Sequence, residues 1–125
     1  MWNDAIYVAD SKIEGQGLFS KRDILKGEVI VDYRYLDCWF ETDVSNLTDY
    51  QISHNWLIML TEKTCETTNT VKELTYMNHS RTPNTNWFVT QKYITAARDI
   101  KQGEEITIDY RLEKRSNRIS FPEWI

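Results

Sequence analysis

The run Tyr76-Met77-Asn78-His79-Ser80-Arg81-Thr82-Pro83-Asn84 sets an amide, an imidazole and a hydroxyl side by side. Three such residues have little reason to be consecutive in an apolar core. A side-chain network that pins backbone polar groups at a ligand suits them better. Hydrolysis does not: no Asp/Ser pairing suggests a triad, and Ser80 directly beside His79 has the wrong geometry for one. Taken alone, His79 reads as a structural histidine. A second cluster, Gly15-Gln16-Gly17-Leu18-Phe19, flanks one residue with two glycines, which lets the backbone approach a ligand closely. By itself it reads as a turn. A dinucleotide fingerprint would need a third glycine and a following helix, and strand-like sequence follows instead. The third cluster, Gly103-Glu104-Glu105-Ile106-Thr107-Ile108-Asp109-Tyr110, is an alternating strand that ends on a tyrosine. Alone, Tyr110 would be a core residue at a strand end.

Composition narrows what these clusters can serve. The 125 residues are 41% hydrophobic and 27% charged, enough for one soluble globular domain with one core. Aromatics make up 13% of the chain, including five Trp and seven Tyr; they fill a small core or line a pocket. The net charge of -4 and a pI near 5.2 argue against direct nucleic-acid binding, which favours basic patches. A mildly acidic surface suits a basic peptide partner, and it also simply keeps a protein soluble. Cys38 and Cys65 form no CxxC pair, and His54 and His79 complete no zinc pattern, so no metal is expected. The first ten residues lack an apolar signal-peptide core, and no run of apolar residues is long enough to span a membrane. An intracellular protein, cytoplasmic or nuclear and not secreted, is expected.

The elements that must position these residues are mostly strands. Ile6–Ala9 and Val29–Tyr33 are candidates. Tyr50, Ile52, Trp56, Ile58 and Leu60 lie on alternate positions with His54 the polar exception. Residues 87–90 and 93–97 read as a tight hairpin around Gln91-Lys92, and Glu105–Asp109 alternates again. Helical windows are weak, near Thr42–Tyr50 and Thr70–Met77, and the Thr-rich stretch Thr61–Thr70 reads as a loop or β-turn. There is also an internal echo: Arg22-Asp23-Ile24-Leu25-Lys26-Gly27-Glu28 matches Arg98-Asp99-Ile100-Lys101-Gln102-Gly103-Glu104, and each copy leads into an apolar run ending in Asp-Tyr. Two copies are too few for a solenoid. They predict two similar β-turn-β units packed on each other, within a mostly-β fold.

Taken together, the order and spacing of the three clusters resemble the SET domain family of protein-lysine methyltransferases. Gly15-Gln16-Gly17-Leu18-Phe19-Ser20 is similar to its first motif, Asn78-His79-Ser80 with Pro83-Asn84 to its NHSxxPN motif, and Glu105-Ile106-Thr107-Ile108-Asp109-Tyr110 to its terminal motif. The resemblance covers residues 5–110. It implies a β-clip fold of several small sheets of short strands with few short helices. A pseudo-knotted C-terminal segment would bring Asn78-His79-Ser80 and Tyr110 together. The chain would be a single SET domain over residues 1–125, with residues 111–125 a tail closing the cofactor site. The resemblance also implies S-adenosylmethionine as cofactor, with S-adenosylhomocysteine as product. Glu14, Gly15, Gln16, Gly17, Asn78 and His79 would bind it, Tyr110 would stand beside the methyl-transfer channel, and Trp124, then Phe121, would cover the adenine. Tyr76, Tyr33 and Trp87 are further candidates for the channel lining. The substrate implied is a lysine side chain in a protein or peptide, histone tails being the family's usual target. An inactive SET-like module that binds a basic peptide or protein partner is the alternative, and a homodimer stays open.

Departures from the family pattern are specific. Arg81 follows Ser80 where many members have Cys, and no Cys lies beyond Cys65, so a site closed without the cysteine-rich zinc tail is expected. Gln16 stands where Trp is frequent. Backbone makes the main contacts at that motif, so this change should not impair binding.

Overall fold

The computed structural model describes residues 5–34, 39–69, 73–112, 121–122 and 125. In chain order the elements are β1 (Ile6–Asp10), β2 (Gln16–Ser20), β3 (Val29–Asp32), β4 (Phe40–Asp43), α1 (Asp49–Ser53), β5 (Leu57–Met59), β6 (Thr64–Thr67), α2 (Glu73–Tyr76), β7 (Asn78–His79), β8 (Thr85–Phe88), β9 (Tyr93–Ala96) and β10 (Glu105–Ile108). They form one four-stranded sheet, β1-β2-β10-β7, and two three-stranded sheets, β3-β9-β8 and β4-β6-β5. The mostly-β architecture of small sheets is the one expected. The chain divides into two compact units, Met1–Tyr35 with Lys72–Tyr110, and Leu36–Val71 with Arg111–Ile125.

The internal echo organises the first unit. Ile24 and Ile100 pair across an antiparallel bridge, exchanging N–H···O bonds of 2.7 and 2.8 Å, and both are fully buried. Asp23 Oδ1 accepts the Gln102 N–H at 2.8 Å, and Asp99 Oδ1 accepts the Lys26 N–H at the same distance. Each copy thus caps the turn of the other. Each also closes on itself through the same ion pair, Arg22 with Glu28 and Arg98 with Glu104. Gly27 and Gly103 sit at φ 88° and 84°, a region that strains residues bearing a side chain. The repeated heptapeptide therefore encodes a local two-fold arrangement. At its centre each fully buried isoleucine contributes roughly 1.5–3 kcal/mol. Around it, Leu18, Ile30, Ile94 and Ile106 are also fully buried.

In the second unit three expectations change. The alternating residues between Tyr50 and Leu60 do not form one strand. Thr48 Oγ1 accepts the Gln51 N–H at 3.2 Å, and Gln51 Oε1 accepts the Thr48 N–H at 2.8 Å. This reciprocal capping box starts helix α1, Asn55 at φ 57° turns the chain after it, and only Leu57–Met59 continues as strand. The weak helical window Thr42–Tyr50 is strand through Asp43, a single 3-10 turn at Val44–Asn46, and helix only where α1 starts at Asp49. The Thr-rich stretch holds a strand, β6, which is the middle member of its sheet. There the β-branched threonines suit a pleated surface, and Cys65, Glu66 and Thr67 are buried. Cys65 packs in a buried cluster with Val44, Leu57 and Met59. In the first unit the β8–β9 hairpin is also wider than expected. Phe88 pairs with Tyr93, so four residues, Val89–Lys92, make the connection, with Lys92 at φ 65°. Among the described residues no helix is long and apolar enough to cross a membrane.

Candidate active site

The candidate site is built around β10. On one side β10 pairs antiparallel with β2, Ile106 opposite Leu18. On the other it pairs in parallel with β7, Thr107 opposite Asn78 and Ile108 opposite His79. The three sequence clusters thus lie on adjacent strands of one sheet. The parallel step continues through Ser80, whose N–H donates to Ile108 O at 3.0 Å.

Asn78 and Glu105 lock the first motif onto this sheet. The Asn78 Nδ2 group donates to Glu105 Oε2 at 2.9 Å, to Glu14 O at 3.1 Å and to Gln16 O at 3.3 Å. All three neighbours are acceptors, which assigns the amide orientation, and two hydrogens are shared among them. Ser11 Oγ–H donates to the same carboxylate, 2.7 and 2.8 Å from its two oxygens. Hydrogen bonds to a carboxylate contribute about 1.5–3 kcal/mol, more than neutral ones. Gly17 passes so close that a Cβ there would stand 3.0 Å from Glu105 Cδ and 3.1 Å from Asn78 Nδ2. Gly15, at φ 43°, faces open space. Glu14, Gly15 and Gln16 are exposed while Gly17 is buried, and Asn78 holds the Glu14 and Gln16 carbonyls from the side of the sheet.

His79 and Tyr110 meet at the end of β10. The Tyr110 backbone N–H donates to His79 Nδ1 at 3.1 Å. A nitrogen that accepts carries no proton, which puts the imidazole proton on Nε2 and leaves the ring neutral. Asp109 Oδ1 lies 3.8 Å from Nδ1, too long for a hydrogen bond. We therefore read the pair as a neutral ring beside a carboxylate and not as an ion pair. The two rings stand 5.2 Å apart, tilted by 35°. The Tyr110 hydroxyl donates to Met77 O, tying the strand end back to the residue before β7. The ring keeps some exposure, but burial around the hydroxyl pushes its pKa well above the ordinary phenol value. At neutral pH it is a donor, not a phenolate.

Asn84 holds the far side of β10. Its side chain, in a residue only 4% exposed, donates to Glu105 O at 2.8 Å and Glu104 Oε2 at 3.1 Å, and accepts the Thr107 N–H at 3.0 Å. Glu104 is itself held below the usual carboxylate range, first by the Arg98 guanidinium and then by Asn84.

The structure brings together Glu14, Gly15, Gln16, Gly17, Asn78, His79 and Tyr110. Tyr76, half-buried, ends α2 just before Met77. Tyr33 and Trp87 meet each other on the β3-β9-β8 sheet, Trp87 Nε1–H donating to the Tyr33 hydroxyl at 3.0 Å. Phe121 is half-buried, and Trp124 lies outside the described residues. Sequence reasoning gave no role to Glu105, Asn84 or Ser11. Glu105 and Asn84 lie inside the quoted motifs, yet periodicity counts them only as strand and turn residues. Ser11 is 94 positions from Glu105, and no local signal connects them.

Comparison with known proteins agrees with this arrangement. Residues 15–111 match the family model described as SET domain. The chain belongs to the SET domain family. It is 30% identical to the Drosophila melanogaster protein named histone-lysine N-methyltransferase trr, over 94% of this chain but 5% of that protein. It is 26% identical to human histone-lysine N-methyltransferase 2D over 97% of this chain and 2% of the relative. Identity to Caenorhabditis elegans histone-lysine N-methyltransferase mes-4 is 28%, over 92% of this chain and 15% of the relative. The chain thus spans a small part of the curated relatives it matches. A solved structure of a candidate histone methyltransferase from Plasmodium falciparum, 21% identical, overlays with a TM-score of 0.64, covering 88% of this chain and 96% of that one. That likeness is one of fold.

Proposed function

We propose that the chain transfers a methyl group from S-adenosylmethionine to the side-chain amine of a lysine in a protein, with histone tails the first substrates to test. The observation that carries the reading is the junction of β7 and β10, which joins His79 to Tyr110 and, through Asn78, holds the exposed loop at residues 14–16. The names of the curated relatives support the same activity.

The donor set fits the cofactor. Glu14 O and Gln16 O are carbonyl acceptors suited to an ammonium group, and Gly17, with no space for a side chain, keeps that backbone close to the sheet. Asn78 and His79 would hold the methionine and adenine ends, and Phe121 and Trp124 would cover the adenine. When bound, the cofactor supplies an electrophilic methyl on a sulfonium. The chain's own residues then have to deliver a neutral amine in line with it. A free lysine has a pKa of about 10.4, so its amine is mostly protonated at neutral pH. Burial in an aromatic channel, for which Tyr76, Tyr33 and Trp87 are candidates, disfavours the ammonium. Alignment of the reacting pair can supply roughly 7–11 kcal/mol of the barrier.

Tyr110 does not serve as the base, because its hydroxyl keeps its proton. Its work is to orient. The bond to Met77 O fixes the hydroxyl, and the phenol oxygen offers an acceptor toward the amine. Calorimetric titration with S-adenosylmethionine tests the cofactor half of the reading. We expect saturable binding that Asn78→Ala weakens at least tenfold. No heat at millimolar cofactor would instead favour a module that only binds partners.

A further inference from the structure

The connection between β1 and β2 carries the backbone on which the proposed cofactor contacts fall. Lys12, Ile13, Glu14, Gly15 and Gln16 are all exposed, so burial does little to fix the shape of this loop and hydrogen bonds must. Ser11, half-buried at its start, supplies several of them. Its N–H donates to Gly15 O at 2.8 Å, and its Oγ accepts the Ile13 N–H at 2.9 Å. Those two bonds close a local turn of a kind that serine often makes. The hydroxyl hydrogen serves something else. It goes to the Glu105 carboxylate, 94 positions away. Meanwhile Glu14 O and Gln16 O are held by the Asn78 amide. All three carbonyls of residues 14–16 therefore have a set direction, one toward Ser11 and two toward Asn78.

Asn78 is in turn directed by Glu105. The backbone of Glu105 is fixed independently, by its place opposite Phe19 and by Asn84, whose amide donates to its carbonyl at 2.8 Å. Its carboxylate is not fixed by the strand. Among the described residues, Ser11 and Asn78 are the donors that hold it, in the space left by the missing side chain of Gly17. A hydroxyl has one hydrogen, and Ser11 shares it between the two carboxylate oxygens, at 2.7 and 2.8 Å. With the carboxylate so placed, one Asn78 amide hydrogen goes to Glu105 and the other is left for the two loop carbonyls. Ser11, Glu105, Asn78 and the loop thus form a closed circuit.

We propose that Ser11 is a positioning residue for the cofactor. Through Glu105 and Asn78 it sets the Glu14 and Gln16 carbonyls for the ammonium group before the cofactor arrives, and a site ordered in advance loses less affinity to ordering. The role rests on the cofactor reading given above. It bears on binding and not on transfer, because the Ser11 bonds run to the loop and to Glu105 and not to the end of β10 where His79 and Tyr110 meet.

Calorimetric titration of the full chain with S-adenosylmethionine, and separately with S-adenosylhomocysteine, compares wild type, Ser11→Ala, Ser11→Thr and Ser20→Ala. Ser11→Ala should weaken both ligands roughly five- to thirtyfold, the scale of a hydrogen bond to a carboxylate. Ser11→Thr keeps the hydroxyl and should bind like wild type. Ser20→Ala is the control. This fully buried serine at the far end of β2 donates to Lys101 O at 2.7 Å, so its loss should lower Tm and leave affinity unchanged. Amide exchange at Gln16 and Gly17, read without cofactor, should quicken in Ser11→Ala and not in Ser11→Thr. Equal affinity of Ser11→Ala and wild type, failure of Ser11→Thr to restore binding, or an equal loss in Ser20→Ala would overturn the role of Ser11 and leave the cofactor reading intact. No heat with wild type would overturn that reading, and this role with it.

Discussion

Gly17→Ala is expected to damage this protein more than an alanine for glycine exchange in a strand ordinarily would. The added Cβ would lie 3.0 Å from Glu105 Cδ and 3.1 Å from Asn78 Nδ2, and closer still to Glu105 Oε2. The carboxylate cannot simply swing aside, because Ser11 holds it at 2.7 and 2.8 Å and Asn78 at 2.9 Å. Overpacking costs about 1–3 kcal/mol, and the loss of a hydrogen bond to the carboxylate adds to it. A total of about 2–4 kcal/mol follows. For a chain of this size that lowers Tm by roughly 6–20 °C. Differential scanning calorimetry on wild type, Gly17→Ala, Glu105→Ala and the double variant measures the coupling. With the carboxylate removed the methyl meets only the Asn78 amide, itself released from Glu105, so Gly17→Ala should cost less than about 1 kcal/mol in that background, a coupling of about 1–3 kcal/mol. Gly15→Ala is the contrast. It meets no atom within 4 Å but holds φ at 43°, so it should cost about 1–2 kcal/mol through backbone strain alone, with or without Glu105. An unchanged Tm for Gly17→Ala, or strict additivity with Glu105→Ala, would refute the clamp.

Two other outcomes follow from the same strand. Asn84→Ala should destabilise by about 2–4 kcal/mol, because it strands the buried Thr107 N–H and Glu105 carbonyl; urea denaturation at constant m-value checks this. Acid sensitivity should pass partly through Glu104, whose folded-state pKa is depressed, first by Arg98. The stability it contributes is present above the ordinary carboxylate range and lost as pH falls through the folded-state value. Thermal scans should therefore show a shallower fall below about pH 5 in Arg98→Gln than in wild type, and identical slopes would count against the pair.

Much of the first unit was legible because its information is local. The heptapeptide echo carries its own glycine, buried isoleucine, capping aspartate and ion pair, so similar sequence gives similar geometry. The motif residues Asn78, His79 and Tyr110 were readable as types, and their meeting followed from the family likeness. What connects them was not readable. Ser11, Asn78 and Glu105 are distant in sequence and joined only by the β2-β10-β7 order, so hydrogen bonding across it leaves no periodic trace. In the second unit, alternation misled at Tyr50–Leu60 because the capping box outweighs a period of two over one helical turn. The Thr-rich stretch was mistaken for a loop because polar threonines pack in the central strand, where their β-branching matters more than their hydroxyls.

Methyl transfer itself is tested by incubating wild type and Tyr110→Phe with methyl-labelled S-adenosylmethionine and a panel of histones and cell extracts, then mapping the labelled residue. The proposed function predicts label on a lysine amine with wild type, and near-complete loss with Tyr110→Phe while cofactor affinity is kept. Normal turnover by Tyr110→Phe on a verified substrate would contradict the role given to that hydroxyl. Absence of any labelled lysine with cofactor-saturated wild type would contradict the activity.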